Sequence, residues 1–99
     1  MITISLCMIV KNEEKVLARC LDSIADLMDE IIIVDTGSSD NTKEIAKKYT
    51  DKIYDFAWID DFSAARNYSF SKATKEYIYV ADADEVIDAG RRIKGGSDP

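Results

Sequence analysis

The chain has 99 residues, with 13 basic side chains against 19 acidic ones, no histidine and a formal charge of −6. This length suits one small domain or a piece of a larger one and excludes a two-domain enzyme, while 46% hydrophobic and 32% charged residues describe a globular chain with one core. The acidic balance excludes a generic electrostatic binder of nucleic acid, which needs clustered Lys and Arg, and the lack of histidine removes Ser-His-Asp and Cys-His triads and histidine-ligated zinc.

Ile2 to Val10 (ITISLCMIV) is a nearly continuous apolar and β-branched run, which predicts a strand buried on both faces. From Glu13 the period changes. Val16, Leu17, Cys20, Leu21, Ile24 and Leu27 fall at helical spacing, with Glu14, Lys15, Arg19, Asp22 and Asp26 on the other side. An amphipathic helix follows from this pattern, with Asn12 as its N-cap and Glu13 and Glu14 in its first turn. Ile31 to Val34 predicts a second buried strand, which stops at Asp35 and gives way to the polar turn Thr36 to Asn41. Asn41 and Glu44 have the spacing of a capping box and open a second helix with the stripe Ile45, Ala46 and Tyr49. Lys52 to Phe56 is a shorter strand, and a helix starting at Asp61 or Ser63 runs through Ala73. Glu76 to Ala81 is the last strand, on which Tyr77 and Tyr79 are expected as core or helix-packing residues.

The tail from Asp88 holds three of the four glycines and the only proline, so residues 89–99 are expected as a frayed or vector-encoded end, cut just after the fourth strand. No apolar run approaches the ~20 residues of a membrane helix, and no secretory leader is evident. The expectation is a cytoplasmic protein with no transmembrane segment, in which Cys7 and Cys20 are reduced and buried.

Strands alternating with helices predict an α/β fold of three layers, a mainly parallel sheet with helices on both faces. In such sheets ligands collect beyond the carboxyl ends of the strands. Lys11-Asn12-Glu13, Asp35-Thr36-Gly37-Ser38 and Asp82-Ala83-Asp84 each follow a strand and so converge on one rim. Asp82 and Asp84 alternate on an extended chain, and two like charges on one side suit a hard divalent cation such as Mg2+ or Mn2+; a solvated strand end explains them as well. Asp35 can accept hydrogen bonds from a base or ribose, or serve only as a turn and cap residue. Arg66 can reach a base or phosphate, or pair with Asp60 or Asp61, and Lys11 reads as a solvated lysine. Asp35 to Ser38 also spells the aspartic-protease signature, but those enzymes are almost all β with glycine-rich flaps, whereas this chain has helical segments and one glycine before residue 90.

In their order and spacing, ISLCMIVKNEE, IIIVDTGSSDNT, FSAARNYSF and YVADADE make residues 2 to 88 resemble the N-terminal half of a family 2 glycosyltransferase. That family is of GT-A type, with a Rossmann-like half that binds a nucleotide-diphospho-sugar, and the bacterial subgroup often followed by tetratricopeptide repeats is the most similar. The resemblance implies a donor-binding half-domain over residues 1–88. It puts Val10, Asn12 and Glu14 beside the nucleotide, Asp35 on uracil or an equivalent base, Arg66 near base and diphosphate, Asp82 at ribose and metal, and Asp84 as the principal ligand of Mn2+ or Mg2+. The implied reaction is inverting transfer from a nucleoside-diphosphate sugar, with UDP-sugar expected, to an acceptor hydroxyl. The acceptor half and its general base would lie beyond Pro99, so the resemblance assigns no catalytic residue within the chain and implies little or no activity alone.

Two readings from other classes stand beside it. One is a receiver-like α/β regulatory module that holds Mg2+ on the same acidic rim. The other is an interaction fragment that self-associates through an exposed sheet edge. Neither is a nucleic-acid binder.

Overall fold

The first two strands are buried on both faces, and their alternate side chains enter two separate cores, which divides the molecule into three layers. The computed structural model describes residues 2–58 and 61–83. Strand β1 (Ile4–Val10) is followed by helix α1 (Leu17–Ile24) and a 3-10 turn at Ala25–Leu27, then β2 (Glu30–Asp35), α2 (Thr42–Ala46), β3 (Ile53–Asp55), α3 (Phe62–Lys72) and β4 (Tyr77–Val80). The sheet order is β3-β2-β1-β4 and every pairing is parallel. The expected α/β class is therefore present, with an all-parallel sheet.

Leu6, Met8 and Val10 of β1, with Ile31 and Ile33 of β2, face one side and pack with Leu17, Cys20, Leu21 and Ile24 of α1 and Ala46 of α2. Cys7, Ile32 and Val34 face the other side, where Tyr68, Phe70 and Ala73 at α3 cover them. Period-2 strands between helical stripes thus bury both sheet faces, and each large aliphatic side chain so removed from water contributes about 1.5–3 kcal/mol. Cys7 and Cys20 are buried thiols outside any disulfide, as expected. Burial raises the Cys7 thiol pKa. Among the described residues, no helix is long and apolar enough to cross a membrane.

Several local expectations are corrected. Helix α1 begins at Leu17, after turns at 14–16, so Asn12 does not cap it. Asn41 precedes α2 without a side-chain cap bond; Asp40 Oδ1 accepts from the Thr42 amide instead, at 2.9 Å. By contrast Asp61 caps α3, its side chain accepting from the Ala64 amide at 3.1 Å. Tyr77 and Tyr79 are not core residues: β4 is an edge of the sheet among the described residues, and all four of its side chains are exposed.

Candidate functional site

The parallel register brings the carboxyl ends of three strands level, with Val10 opposite Asp35 and Asp35 opposite Asp55. On the other flank, Val80 pairs with Cys7, and the chain continues past β4 through Ala81, Asp82 and Ala83. Ala81 and Ala83 are buried against the α1 side of the sheet, whereas Asp82 is exposed. The Cys20 thiol, 3.5 Å away, donates to the Asp82 carbonyl and ties this segment to α1.

Asp35 is the centre of the rim. Its side chain is 2% exposed. Oδ1 accepts from the amides of Gly37 and Ser38, at 2.8 and 2.7 Å. Gly37 has φ of +117°, a conformation that L side chains rarely adopt, so glycine lets the loop fold back over the carboxylate. Oδ2 is buried and has no hydrogen-bond partner, the only such side-chain oxygen or nitrogen among the described residues. Buried polar atoms are nearly always paired, so this oxygen stands out as an acceptor with capacity left for one more donor.

The β1 and β2 loops are stitched together beside it. Asn12 has φ of 54°; its Oδ1 accepts from the Ser39 amide at 2.8 Å, and its own amide donates to Ser38 Oγ at 2.9 Å. Glu14 Oε1 accepts from the Asn41 amide at 3.0 Å, while the Glu14 amide donates to Asp40 Oδ2 at 3.3 Å. Desolvation favours the neutral Asp40 carboxyl, but the hydroxyl and amide of Thr42 and the Glu14 amide outweigh it and hold the pKa below the ordinary value. Lys43 bridges to Asp55 at 2.8 Å. That bond raises the lysine pKa, with the charges of Asp55, Asp35 and Glu44 adding to it.

The structure thus gathers Val10, Asn12, Glu14 and Asp35 at one end of the sheet. Val10 contributes only backbone there, since its side chain is in the core and its carbonyl accepts from the Thr36 amide. Arg66 is exposed in α3, with its guanidinium 4.7 Å from the centre of the Phe62 ring, and Asp61 is engaged as the helix cap. Asp60 and Asp84 lie outside the described residues. Among those described, no group of three or more His, Cys, Asp and Glu side chains could hold a metal by itself. Asp82 supplies the hard carboxylate oxygen that Mg2+ and Mn2+ favour, and such ions commonly take one or two protein carboxylates and complete their shell with water and substrate phosphate. Asp40 and Thr42 went unrecognised from sequence; the available signal was the dense run of hydroxyl and amide side chains from Thr36 to Thr42.

Residues 5–94 match the family described as Glycosyl transferase family 2. A TPR repeat-containing protein of Synechococcus elongatus is 45% identical over 100 residues, covering 99% of this chain and 25% of that protein. The prophage-derived glycosyltransferase SunS of Bacillus subtilis is 43% identical over 94 residues, covering 93% of this chain and 22% of its own length. The chain therefore spans about a quarter of the length of these relatives or less. Among solved structures, Staphylococcus aureus TarS superposes with a TM-score of 0.77 at 24% identity, over 94% of this chain and 31% of that one. Glucosyl-3-phosphoglycerate synthase of Mycobacterium tuberculosis, in complex with Mn2+ and UDP-glucose, gives 0.73 at 24% identity, over 86% and 34%. These superpositions match the observed sheet to the GT-A fold.

Proposed function

The chain belongs to glycosyl transferase family 2, and from that membership we propose that it is the donor-binding half of a metal-dependent, inverting sugar transferase that uses a UDP-sugar. The single observation that carries this reading is Asp35 Oδ2, a buried acceptor without a partner at the carboxyl end of β2. The N–H of a uracil ring is the kind of donor it lacks. Support for the donor class comes from the mycobacterial synthase of the same fold, whose crystals hold UDP-glucose with Mn2+.

In this reading Asp35 holds the base, Arg66 lies toward base and diphosphate, and Asp82 toward the ribose. Val10, Asn12 and Glu14 wall the nucleotide side of the crevice. Asp84, with Asp82, would hold Mn2+ or Mg2+, which when bound supplies positive charge to the departing nucleoside diphosphate. An acceptor hydroxyl attacks the anomeric carbon from the face opposite the diphosphate, and the carbon–oxygen bond to the diphosphate breaks. Positioning the donor is this chain's share of that reaction. Acceptor recognition and the general base are assigned to the parts of the relatives that the chain does not span.

Calorimetric titration of UDP into the folded chain, with and without Mn2+ and alongside Asp84→Ala, tests the proposal. Binding that needs both the metal and Asp84 is expected, with a ligand at 100 times its dissociation constant adding about 2.7 kcal/mol of stability. A folded sample that ignores UDP but responds to Mg2+ with a small phosphoryl mimic would favour the receiver-like alternative.

A further inference from the structure

Three consecutive backbone amides of the β1 loop are spent on side chains of the β2 loop and of the first residue of α2. The Asn12 amide donates to Ser38 Oγ at 2.9 Å, the Glu13 amide to Thr42 Oγ1 at 2.8 Å and the Glu14 amide to Asp40 Oδ2 at 3.3 Å. The bonding is reciprocal, because Asn12 Oδ1 accepts from the Ser39 amide and Glu14 Oε1 from the Asn41 amide. Asp40 in turn accepts from both the amide and the hydroxyl of Thr42. Ser38 is therefore held twice, by Asn12 through its hydroxyl and by Asp35 Oδ1 through its amide.

Asn12 sits at φ of 54°, a conformation uncommon outside glycine but several-fold enriched in Asn and Asp. Such a conformation persists where its surroundings over-determine it, and six hydrogen bonds joining the β1 loop to the β2 loop and the first residue of α2 do so here. Asp35 is the carboxylate this arrangement steadies: a loop free to swing would carry the Gly37 and Ser38 amides away from Oδ1 and let the carboxyl group rotate.

We propose that Asn12 and Glu14 are positioning residues, which fix the direction of Asp35 Oδ2 through the 38–41 segment and do not hydrogen-bond the donor through Asn12 Oδ1 or Glu14 Oε1. The proposal rests on the donor-site reading of Asp35. It differs from a plain structural role in that the clamp governs ligand affinity at the rim and does not merely add stability.

The test compares UDP affinity, measured with Mn2+ well below the unfolding temperature, in the wild-type chain and three variants. Asn12→Gly keeps the backbone conformation available and removes the acceptor; affinity is expected to fall roughly five- to tenfold, the equivalent of one hydrogen bond. Asn12→Asp keeps both the acceptor and the tolerance of positive φ, and affinity is expected to return to within roughly twofold of wild type. Glu30→Gln, at the opposite end of the sheet, lowers stability and is expected to leave UDP affinity unchanged. Unaltered affinity in Asn12→Gly overturns the proposal, as does a loss that Asn12→Asp does not rescue or one that Glu30→Gln reproduces. Amide hydrogen exchange without ligand separates this inference from the donor reading. Failure of the wild type to bind UDP sinks the donor reading, whereas unchanged exchange at Ser38 and Ser39 in Asn12→Gly removes the clamp whatever UDP does.

Discussion

Asp35 combines two demands that usually conflict. One oxygen is fully used by the loop that covers it, and the other is buried with nothing to accept from. An unpartnered buried oxygen is a stability cost of about 1–3 kcal/mol, retained where a function requires it. Asp35→Asn separates the two demands, because the amide oxygen can still accept from Gly37 and Ser38 while the amide nitrogen replaces Oδ2. The expected outcome is an unchanged or raised unfolding temperature without ligand, together with UDP affinity weakened roughly 10- to 100-fold, as befits loss of a hydrogen bond to a carboxylate. Thermal denaturation and calorimetry on the same samples check it; a lower unfolding temperature with intact affinity would make Asp35 a turn residue only. Asp35 was legible in the sequence because an acid ends an otherwise apolar strand. Asn12 was not, since asparagine suits both an N-cap and the left-handed region, and only the partner loop decides between them.

At the level of elements, the hydrophobic spacing of α1 and the β-branched runs of β1 and β2 carry their own interpretation, because each is buried against the neighbours that its period implies. The helix starts are less uniform. Asp61 was among the candidates and does cap α3, whereas Asp40 displaces Asn41 at α2 by reaching the Thr42 amide from one residue further back. Asp61→Ala is expected to cost about 1 kcal/mol, lowering the unfolding temperature by roughly 4–8 °C in a domain of this size, with Asp61→Ser recovering most of it. A melt that leaves Asp61→Ala level with wild type would show that α3 is held by Tyr68, Phe70 and Ala73 alone. β4 shows where sequence runs out: YIYV signals a strand, but whether its tyrosines are covered depends on its place in the sheet, which among the described residues is an edge paired with β1.

Across the whole molecule the two ends of the sheet have different duties. The carboxyl ends gather the candidate donor site, whereas Glu30 at the amino end of β2 gathers a structural network. Its side chain is buried, is paired with Lys52, and accepts from Ser5 Oγ at 2.6 Å and from the Thr74 amide and hydroxyl, each at 2.9 Å. One carboxylate thereby joins β1, β2, the approach to β3 and the approach to β4. Burial would push its pKa up, but Lys52, Ser5 and Thr74 outweigh it and bring the value down from 4.5 to about 2. A carboxyl whose folded pKa is depressed binds its proton more readily in the unfolded chain. Its contribution is therefore fully present above pH 4.5 and is lost as pH falls from there toward 2, an upper figure of about 3 kcal/mol for this shift. Chemical denaturation at pH 6, 4 and 2.5 is expected to show that loss in the wild-type chain. Glu30→Gln, already destabilised at pH 6, should lose less stability over the same interval, because it has no carboxyl to protonate at that position. Parallel acid slopes in the two proteins would place the acid sensitivity in the exposed carboxylates and leave Glu30 a packing residue.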